Sequence, residues 1–362
     1  MSFVYSIKDS YRAAVEAQTG GKNTVIYDDK GYPSIMVAIP MFYLDEVIDG
    51  APHEPHPAFK VNGEVKDVIY ISKYQNIVHD GRAYSLPMQD PKVYVTFDQA
   101  MQYCKDKGSG WHLMTNAEWA AIALWCKKNG FMPRGNNNYG KDHSATHERG
   151  AVTYKYDSGG TMYDGRVATG SGPASWSHDG TNEGIFDLNG NVWEWVHGLR
   201  LIDGKIWVID DNDFEKQNDY RDTTGWTDTG VYIDNSTAGN NSQTAADVGG
   251  DLVLSDTLTN PMYTDDPSSD GYYGYSSTNF ELLTAKTGFT VPDLLKWLAI
   301  FPADASGYEG DNVWARNYGE RLPIRGGSWN GGSSAGVFSL YLLNLRSVSG
   351  YDIGFRAAYI PM

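Results

Sequence analysis

Glycine is the residue that most constrains this fold, because 40 of the 362 residues are glycine. Glycine weakens helices and supplies the left-handed backbone angles that many tight turns require. The chain also contains 25 Tyr and 11 Trp, residue types that favour strands and contact surfaces. This combination predicts short strands joined by many turns and argues against a helix bundle.

The charge balance limits the classes of partner. The chain has 45 acidic and 29 basic residues, a formal net charge of −16, and such a surface repels phosphate groups. We therefore expect no nucleic-acid partner and no membrane insertion. No apolar run approaches the roughly 20 residues that span a bilayer, and the first residues lack the basic and apolar regions of a secretory signal.

Two helices follow from local patterns. Apolar residues at helical spacing predict a helix from Thr96 to Lys107. A capping box formed by Thr115 and Glu118 predicts a second helix that ends at Lys128. A third, amphipathic helix is expected from Pro292 to Phe301. Residues 133–184 are expected to be mainly loop.

Strand-type segments occupy both ends of the chain. They include Thr24–Tyr43, Leu199–Ile209 with a turn at Asp203-Gly204, and a hairpin strand at residues 192–196. Strands followed by helices and then strands predict the α+β class. We expect an N-terminal attachment or oligomerisation segment at residues 1–34, and one domain over 35–362 that contains a polar insertion at about 210–293.

Neither cysteines nor histidines form a convincing reactive site. Cys104 and Cys126 fall on apolar helix faces, where a small buried hydrophobic residue is expected. His143 and His147 are four apart, a spacing that binds metal on a helix, but the surrounding glycines make a helix there doubtful. The pair His53 and His56, in a Pro-rich loop, is a similarly weak metal candidate. We assign no catalytic residue and no metal ligand.

Four motifs occur in this order along the chain: Gly110–Trp119, Gly184–Trp195, Arg325–Trp329 and Gly354–Arg356. Together they resemble the formylglycine-generating-enzyme (sulfatase-modifying factor) type of C-type lectin fold. The resemblance implies that fold. It also implies an enzyme only where copper-binding cysteines follow the Arg-Gly-Gly-Ser and Gly-Phe-Arg segments; here Gly331, Gly332 and Ala357 occupy those regions. We therefore expect a protein that is not an enzyme, with a metal-dependent oxidase or a degenerate enzyme of the same fold as the alternative.

The C-terminal segment, residues 325–356, is similar to the variable region of diversity-generating retroelement variable proteins. This resemblance implies a ligand- or receptor-binding protein, at a phage tail tip or displayed on a cell surface, that binds a host surface protein or glycan. Virion tail components and further copies of the chain would be additional partners. No cofactor is implied, although lectin-type folds sometimes hold calcium near Asn191 and Glu194. The implied ligand-binding positions are Asn330, Gly331, Tyr341, Leu343, Asn344, Leu345, Val348, Gly350, Tyr351 and Asp352.

The residue types of this segment support a division between a frame, the buried residues that fix the backbone, and a surface of residues that contact a ligand. Residues 337–345 are apolar on both faces, which fits either a doubly buried strand or one that exposes an apolar face. Tyr341 and Tyr351, like Trp329, stand among small polar residues, as binding aromatics do in paratopes. We assign these two tyrosines to binding. We assign Phe338, Leu340, Leu342, Phe355, Trp193 and Trp195 to the frame, and expect Arg325 and Arg356 to hold loop backbone.

Overall fold

The computed structural model describes residues 9–238, 249–262 and 275–362. No described helix is both long and apolar enough to cross a membrane. The helices are α1 (Ser10–Thr19), α2 (Leu44–Val47), α3 (Phe97–Lys105), α4 (Asn116–Lys128) and α5 (Asp293–Trp297). The strands of the first half are β1 (Asn23–Tyr27), β2 (Pro33–Pro40), β3 (Lys60–Val61), β4 (Glu64–Val65), β5 (Val68–Ser72), β6 (Ile77–His79), β7 (Arg82–Tyr84), β8 (Trp111–Leu113), β9 (Lys155–Ser158), β10 (Thr161–Asp164) and β11 (Trp193–Trp195). Those of the second half are β12 (Leu199–Ile202), β13 (Lys205–Ile209), β14 (Trp226–Asn235), β15 (Leu252–Ser255), β16 (Ser276–Asn279), β17 (Thr284–Ala285), β18 (Asn312–Ala315), β19 (Glu320–Arg325), β20 (Leu340–Asn344), β21 (Ile353–Phe355) and β22 (Ala357–Tyr359).

The first sheet joins the two ends of the chain. Its strand order is β1-β2-β5-β22-β8, so the C-terminal strand β22 lies between β5 and β8. The expected domain boundary between residues 34 and 35 falls inside β2 and is corrected here, because β1 pairs with β2 from Asn23↔Val37 to Tyr27↔Pro33. Residues 23–34 are part of the domain sheet, and the attachment role of the preceding residues stays a prediction.

The second sheet has 11 strands among the described residues. Its main path runs β16-β18-β20-β19-β12-β13-β14-β15-β17, while β11 pairs with β19 and β21. Strand β11 was expected to be half of a hairpin. That expectation is wrong, because its partners are the distant segments Ile324–Arg325 and Ile353–Phe355.

Helices α3 and α4 confirm the local predictions. Thr96 and Thr115 each cap the helix that follows, and each forms a capping box with the residue three positions later. Helix α4 is buried along most of its length and packs in the main hydrophobic core. Helix α5 is shorter than expected and ends at Trp297, since Ala299, two residues further on, has a left-handed φ of 48°.

Regular structure is found both in the expected loop region and in the expected polar insertion. Residues 133–184 include a hairpin of β9 and β10, joined by Gly159 and Gly160, both with positive φ. The polar insertion, residues 210–293, contributes β14 to β17 to the second sheet. Its buried residues Val231, Leu252 and Phe280 belong to the main core. The insertion is therefore integrated into the sheet and core.

Candidate functional site

Strand β20 carries the first of the predicted binding residues. Tyr341 lies beside Trp314 of β18 and Ile324 of β19 in the strand register. Its chain neighbours Leu340 and Leu342 are both 0% exposed, as expected for frame residues. One face of β20 is therefore sealed in the core, while Tyr341 on the other face remains partly exposed.

The predicted binding residues differ in accessibility. Asn330 is exposed, but Leu343 and Asn344 are only 7% and 8% exposed. The expectation of an open surface at these two positions is wrong, because β20 packs on both faces there. Their role in binding stays a prediction. Intermediate exposure is found for Gly331, Tyr341, Leu345, Val348, Gly350, Tyr351 and Asp352.

Three half-buried aromatic rings form what we call the sheet aromatic cluster: Trp193, Trp314 and Tyr341. Their ring centroids lie 5.4 to 5.8 Å apart, within the range of favourable aromatic pairs. Burial raises the pKa of Tyr341 to about 12, so its hydroxyl is protonated at neutral pH. Trp193, which the sequence placed in the frame, is itself partly exposed and packs against Tyr341.

A second group, the loop aromatic cluster, consists of Tyr154, Tyr156, Trp329 and Tyr351. Tyr351 lies between Trp329, at 5.3 Å between centroids, and Tyr156, at 5.6 Å. Trp329 was expected among the contact-surface aromatics. It is only 1% exposed, because Tyr154 and Tyr351 cover its ring.

Residues 351 and 352 connect the two clusters. The backbone carbonyl of Asp352 accepts a 2.8 Å hydrogen bond from the backbone N–H of Trp193. The carbonyl of Tyr351 accepts one of 2.8 Å from Arg166 Nη1. Burial raises the pKa of Asp352 above its usual value. Both bonds use backbone oxygens, so they hold the segment in place without depending on its side chains.

Tyr94 is a candidate surface residue that the sequence did not indicate. It is 60% exposed and has a left-handed φ of 53°, a conformation that is rare for a bulky residue. Its N–H donates a 2.9 Å hydrogen bond to the Gly350 carbonyl. Tyr163 of β10, 41% exposed, was also missed, although the Gly-Gly between two tyrosine-containing runs is a hairpin signal.

Buried ion pairs and hydrogen bonds fix the frame behind this surface. Arg356 contacts both carboxylate oxygens of Glu194, at 2.6 and 2.7 Å, and donates to the Ser72 and Phe186 carbonyls. Arg325 donates to Asn116 and to the Ala299 carbonyl. The expected backbone-holding role of the two arginines is confirmed.

Asp311 supports the C-terminal segment, residues 325–356, from inside the domain. Its Oδ2 accepts a 2.7 Å hydrogen bond from the Phe338 N–H. A Cβ added at Gly336 would lie 2.0 Å from Asp311 Oδ1, so only glycine fits at that position. Burial raises the pKa of Asp311 to about 8.

Comparison with known proteins identifies the family. The model of the sulfatase-modifying factor enzyme 1-like domain matches residues 20–229, more than half of the chain. The chain belongs to the sulfatase-modifying factor enzyme 1-like family. Membership confirms the expected α+β fold of formylglycine-generating-enzyme type. The C-terminal segment, residues 325–356, lies outside the match.

Solved structures similar to this member of the sulfatase-modifying factor enzyme 1-like family share little sequence with it. PvdO from Pseudomonas aeruginosa is 14% identical, with a TM-score of 0.37 over 93% of this chain and 97% of that one. Treponema denticola variable protein 1 is 14% identical, with a TM-score of 0.32 over 94% and 99%. The Major Tropism Determinant U1 variant is 11% identical, with a TM-score of 0.29 over 93% and 71%. No curated protein matches the chain.

The family includes enzymes, so the residues that could react or bind a metal are described next. Cys104 and Cys126 are fully buried, and burial raises the pKa of both thiols. His143 and His147 are exposed and lie outside any helix. The neighbouring Glu148 is engaged by Arg134, Ser175 and Trp176. Within the described ranges, no group of three or more His, Cys, Asp or Glu side chains is arranged to hold a metal ion.

The other metal candidates have protein partners. His56 is buried and its ring nitrogens contact the Trp297 carbonyl and the Ala58 N–H, whereas His53 faces Asp45 on the surface. Asn191 Oδ1 accepts from Asn136 and from the Val167 N–H. Both Glu194 oxygens face Arg356. Calcium at Asn191 and Glu194 stays a prediction, and it would have to displace these donors.

Two clefts of the described structure lie away from the predicted binding residues. One of about 570 Å³ is bordered by α3, Trp111 and Phe214, and another of about 980 Å³ by β2, α4 and Thr181. Neither is lined by any residue of 325–356. These two clefts are therefore separate from the predicted binding residues.

Proposed function

We propose that this chain is a non-enzymatic ligand- or receptor-binding protein, the variable protein of a diversity-generating retroelement. It would act at a phage tail tip or on a cell surface and bind a host surface protein or glycan through residues of its C-terminal segment. Asn330, Tyr341, Leu345, Val348 and Tyr351 are the contact residues that we favour.

The observation that carries the proposal is the environment of Tyr341. Its side chain is only partly exposed and packs against Trp193 and Trp314, while its chain neighbours Leu340 and Leu342 are fully buried. A fixed backbone with a partly exposed aromatic side chain limits the entropy lost on binding. The backbone bonds from Arg166 and Trp193 to residues 351 and 352 extend this support to the next loop.

Binding of the intact chain to a glycan array and to a panel of bacterial cells tests the proposal. We expect the triple variant Asn330→Ala, Leu345→Ala, Val348→Ala to lose or change its targets while its unfolding transition is retained. The matched control, Tyr32→Ala with Tyr220→Ala, removes two exposed tyrosines elsewhere on the surface and should bind as the parent does. Equal loss of binding in the control, or unchanged binding in the triple variant, contradicts the proposal.

The proposal that the chain belongs to a diversity-generating retroelement is tested separately, in the genome sequence. A near-copy of the DNA that encodes residues 325–356, differing at adenines and close to a reverse transcriptase gene, is expected. Without such a copy the retroelement assignment fails, whereas ligand binding by the surface can still be measured.

A further inference from the structure

The hairpin of β9 and β10 lies outside residues 325–356 but packs against them. Tyr156 and Tyr163 are direct cross-strand partners, so their side chains share one face. On that face Tyr156 stacks on Tyr351, with 5.6 Å between centroids and 22° between ring planes. Tyr163 packs on Tyr139 at 5.1 Å.

The rest of the hairpin has little support. Within the described part of the chain, β9 and β10 pair only with each other. The opposite face carries Asp157 and Met162, both exposed, and Met162 is 56% exposed. A two-stranded hairpin is at best marginally stable in water by itself. The tyrosine contacts therefore contribute directly to holding this hairpin against the domain.

The base of the hairpin is held differently. Arg166 donates to both carboxylate oxygens of Asp90, at 3.0 and 2.9 Å, and to the Tyr351 carbonyl. Its guanidinium also lies 4.2 Å from the centre of the Tyr154 ring. Thr153 donates through its N–H to the Arg166 carbonyl and through its hydroxyl to Asp90. None of these bonds uses the side chain of residue 351.

We propose that the side chain at position 351 positions the outer part of the β9–β10 hairpin, residues 156–163, while the backbone of residue 351 anchors its base. Tyr351 is then a positioning residue as well as a predicted contact. An exchange at this position would change the binding surface by releasing the outer part of the hairpin or holding it in place. That consequence for ligand choice rests on the proposed function, but the seating of the hairpin does not.

Hydrogen exchange of the full chain, followed by mass spectrometry of peptides, tests the coupling. An aromatic pair contributes about 0.5–1.5 kcal/mol, so Tyr351→Ala should speed exchange in residues 156–163 roughly 2- to 12-fold. Exchange in β20 and around Thr153 and Arg166 should be unchanged. Tyr351→Phe keeps the ring and should exchange like the parent.

Two further variants separate coupling from general destabilisation. Tyr156→Ala removes the same contact from the hairpin side and should give the same increase. The double variant should exchange no faster than either single variant, because both changes remove one interaction. Val348→Ala, a half-buried neighbour that packs against a different core cluster, should leave the hairpin unaffected.

Three results would overturn the inference. The first is an unchanged exchange rate in residues 156–163 of Tyr351→Ala. The second is an equally large increase of the exchange rate in β20 and at the base of the hairpin. The third is a double variant in which the effects of the two single changes on the exchange rate add up. Should Tyr351→Ala fail to fold, Tyr156→Ala carries the test alone, and unchanged hairpin exchange in that variant overturns the inference. No ligand is used in this experiment, so the exchange rates of the hairpin can be interpreted even if the proposed function is wrong.

Discussion

Residues of the C-terminal segment differ in exposure, and Leu343 and Asn344 are among its buried positions. Both residues are only 7% and 8% exposed, and Nδ2 of Asn344 is buried with no hydrogen-bond partner among the described residues. Asn330, by contrast, lies on the surface with its side chain accepting from the Ser328 hydroxyl. Free exchange of side chains is therefore expected at Asn330 and opposed by packing at Leu343.

This difference gives a stability prediction. Asn330→Ala should change the free energy of unfolding by no more than about 0.5 kcal/mol, whereas Leu343→Ala should cost about 2–5 kcal/mol because it leaves a cavity. Chemical denaturation of both variants measures the two values. Equal, small costs would mean that the segment is looser around Leu343 than its burial indicates.

Asp311 gives a pH-dependent prediction. Burial raises the pKa of Asp311 from 3.8 to about 8, so the folded state holds this proton more tightly than the unfolded chain does. The residue therefore opposes folding increasingly as the pH rises from about 4 to about 8, with no further change above that.

The variant Asp311→Asn cannot ionise but keeps an oxygen that can accept from the Phe338 N–H. We expect its free energy of unfolding, relative to the parent, to rise between pH 4 and pH 8. Denaturant titrations at several pH values measure the difference. A difference that stays constant with pH would show that Asp311 titrates normally.

At the scale of elements, the binding surface depends on how β11, β20 and β21 are held together. Strand β11 pairs with both β19 and β21, and β20 lies between β18 and β19. The buried pair of Glu194 in β11 and Arg356 just after β21 fixes the relative position of these strands. The surface residues are therefore positioned by polar groups in the interior.

Breaking this pair should be costly. Arg356→Gln would leave the Glu194 carboxylate buried without a cation, which typically costs about 3–5 kcal/mol. Lys30→Gln removes a lysine from a surface pair with Asp80 and should change stability little. Thermal and denaturant unfolding compare the two. A small loss in Arg356→Gln would mean that Glu194 becomes protonated or solvated at little cost.

At the scale of the whole molecule, both ends of the chain meet in one sheet. Strand β22 fills the gap between β5 and β8, and Ala357, Ala358 and Ile360 are fully buried. Helix α1 is different, because none of its residues is buried. Domain integrity therefore depends on the last residues far more than on this helix.

Two truncations test that asymmetry. Removing residues 357–362 should abolish cooperative unfolding, because the sheet loses a central strand. Removing all residues before Gly20 should lower the melting temperature but keep a single cooperative transition. Far-UV circular dichroism with thermal melts measures both. Retention of the fold by the C-terminal truncation would contradict the assigned role of β22.

The sequence by itself determined the features that depend on near neighbours along the chain. Apolar spacing and capping boxes located α3 and α4, and the Asp203-Gly204 turn located the β12–β13 hairpin. Four ordered motifs predicted the fold family, which the domain match confirms. These features were predictable because their hydrogen bonds and turns are set within a few residues.

Only the tertiary structure decided which side chains reach the surface. An apolar run at residues 337–345 fits two arrangements. In the folded sheet β20 lies between β18 and β19, where Tyr341 is partly exposed but Leu343 is only 7% exposed. Trp329 was covered by Tyr154, and Trp193 was brought beside Tyr341, in each case by contacts between segments more than 100 residues apart. Local sequence carries no information about such partners, because burial is set by whatever the folded chain places opposite each residue.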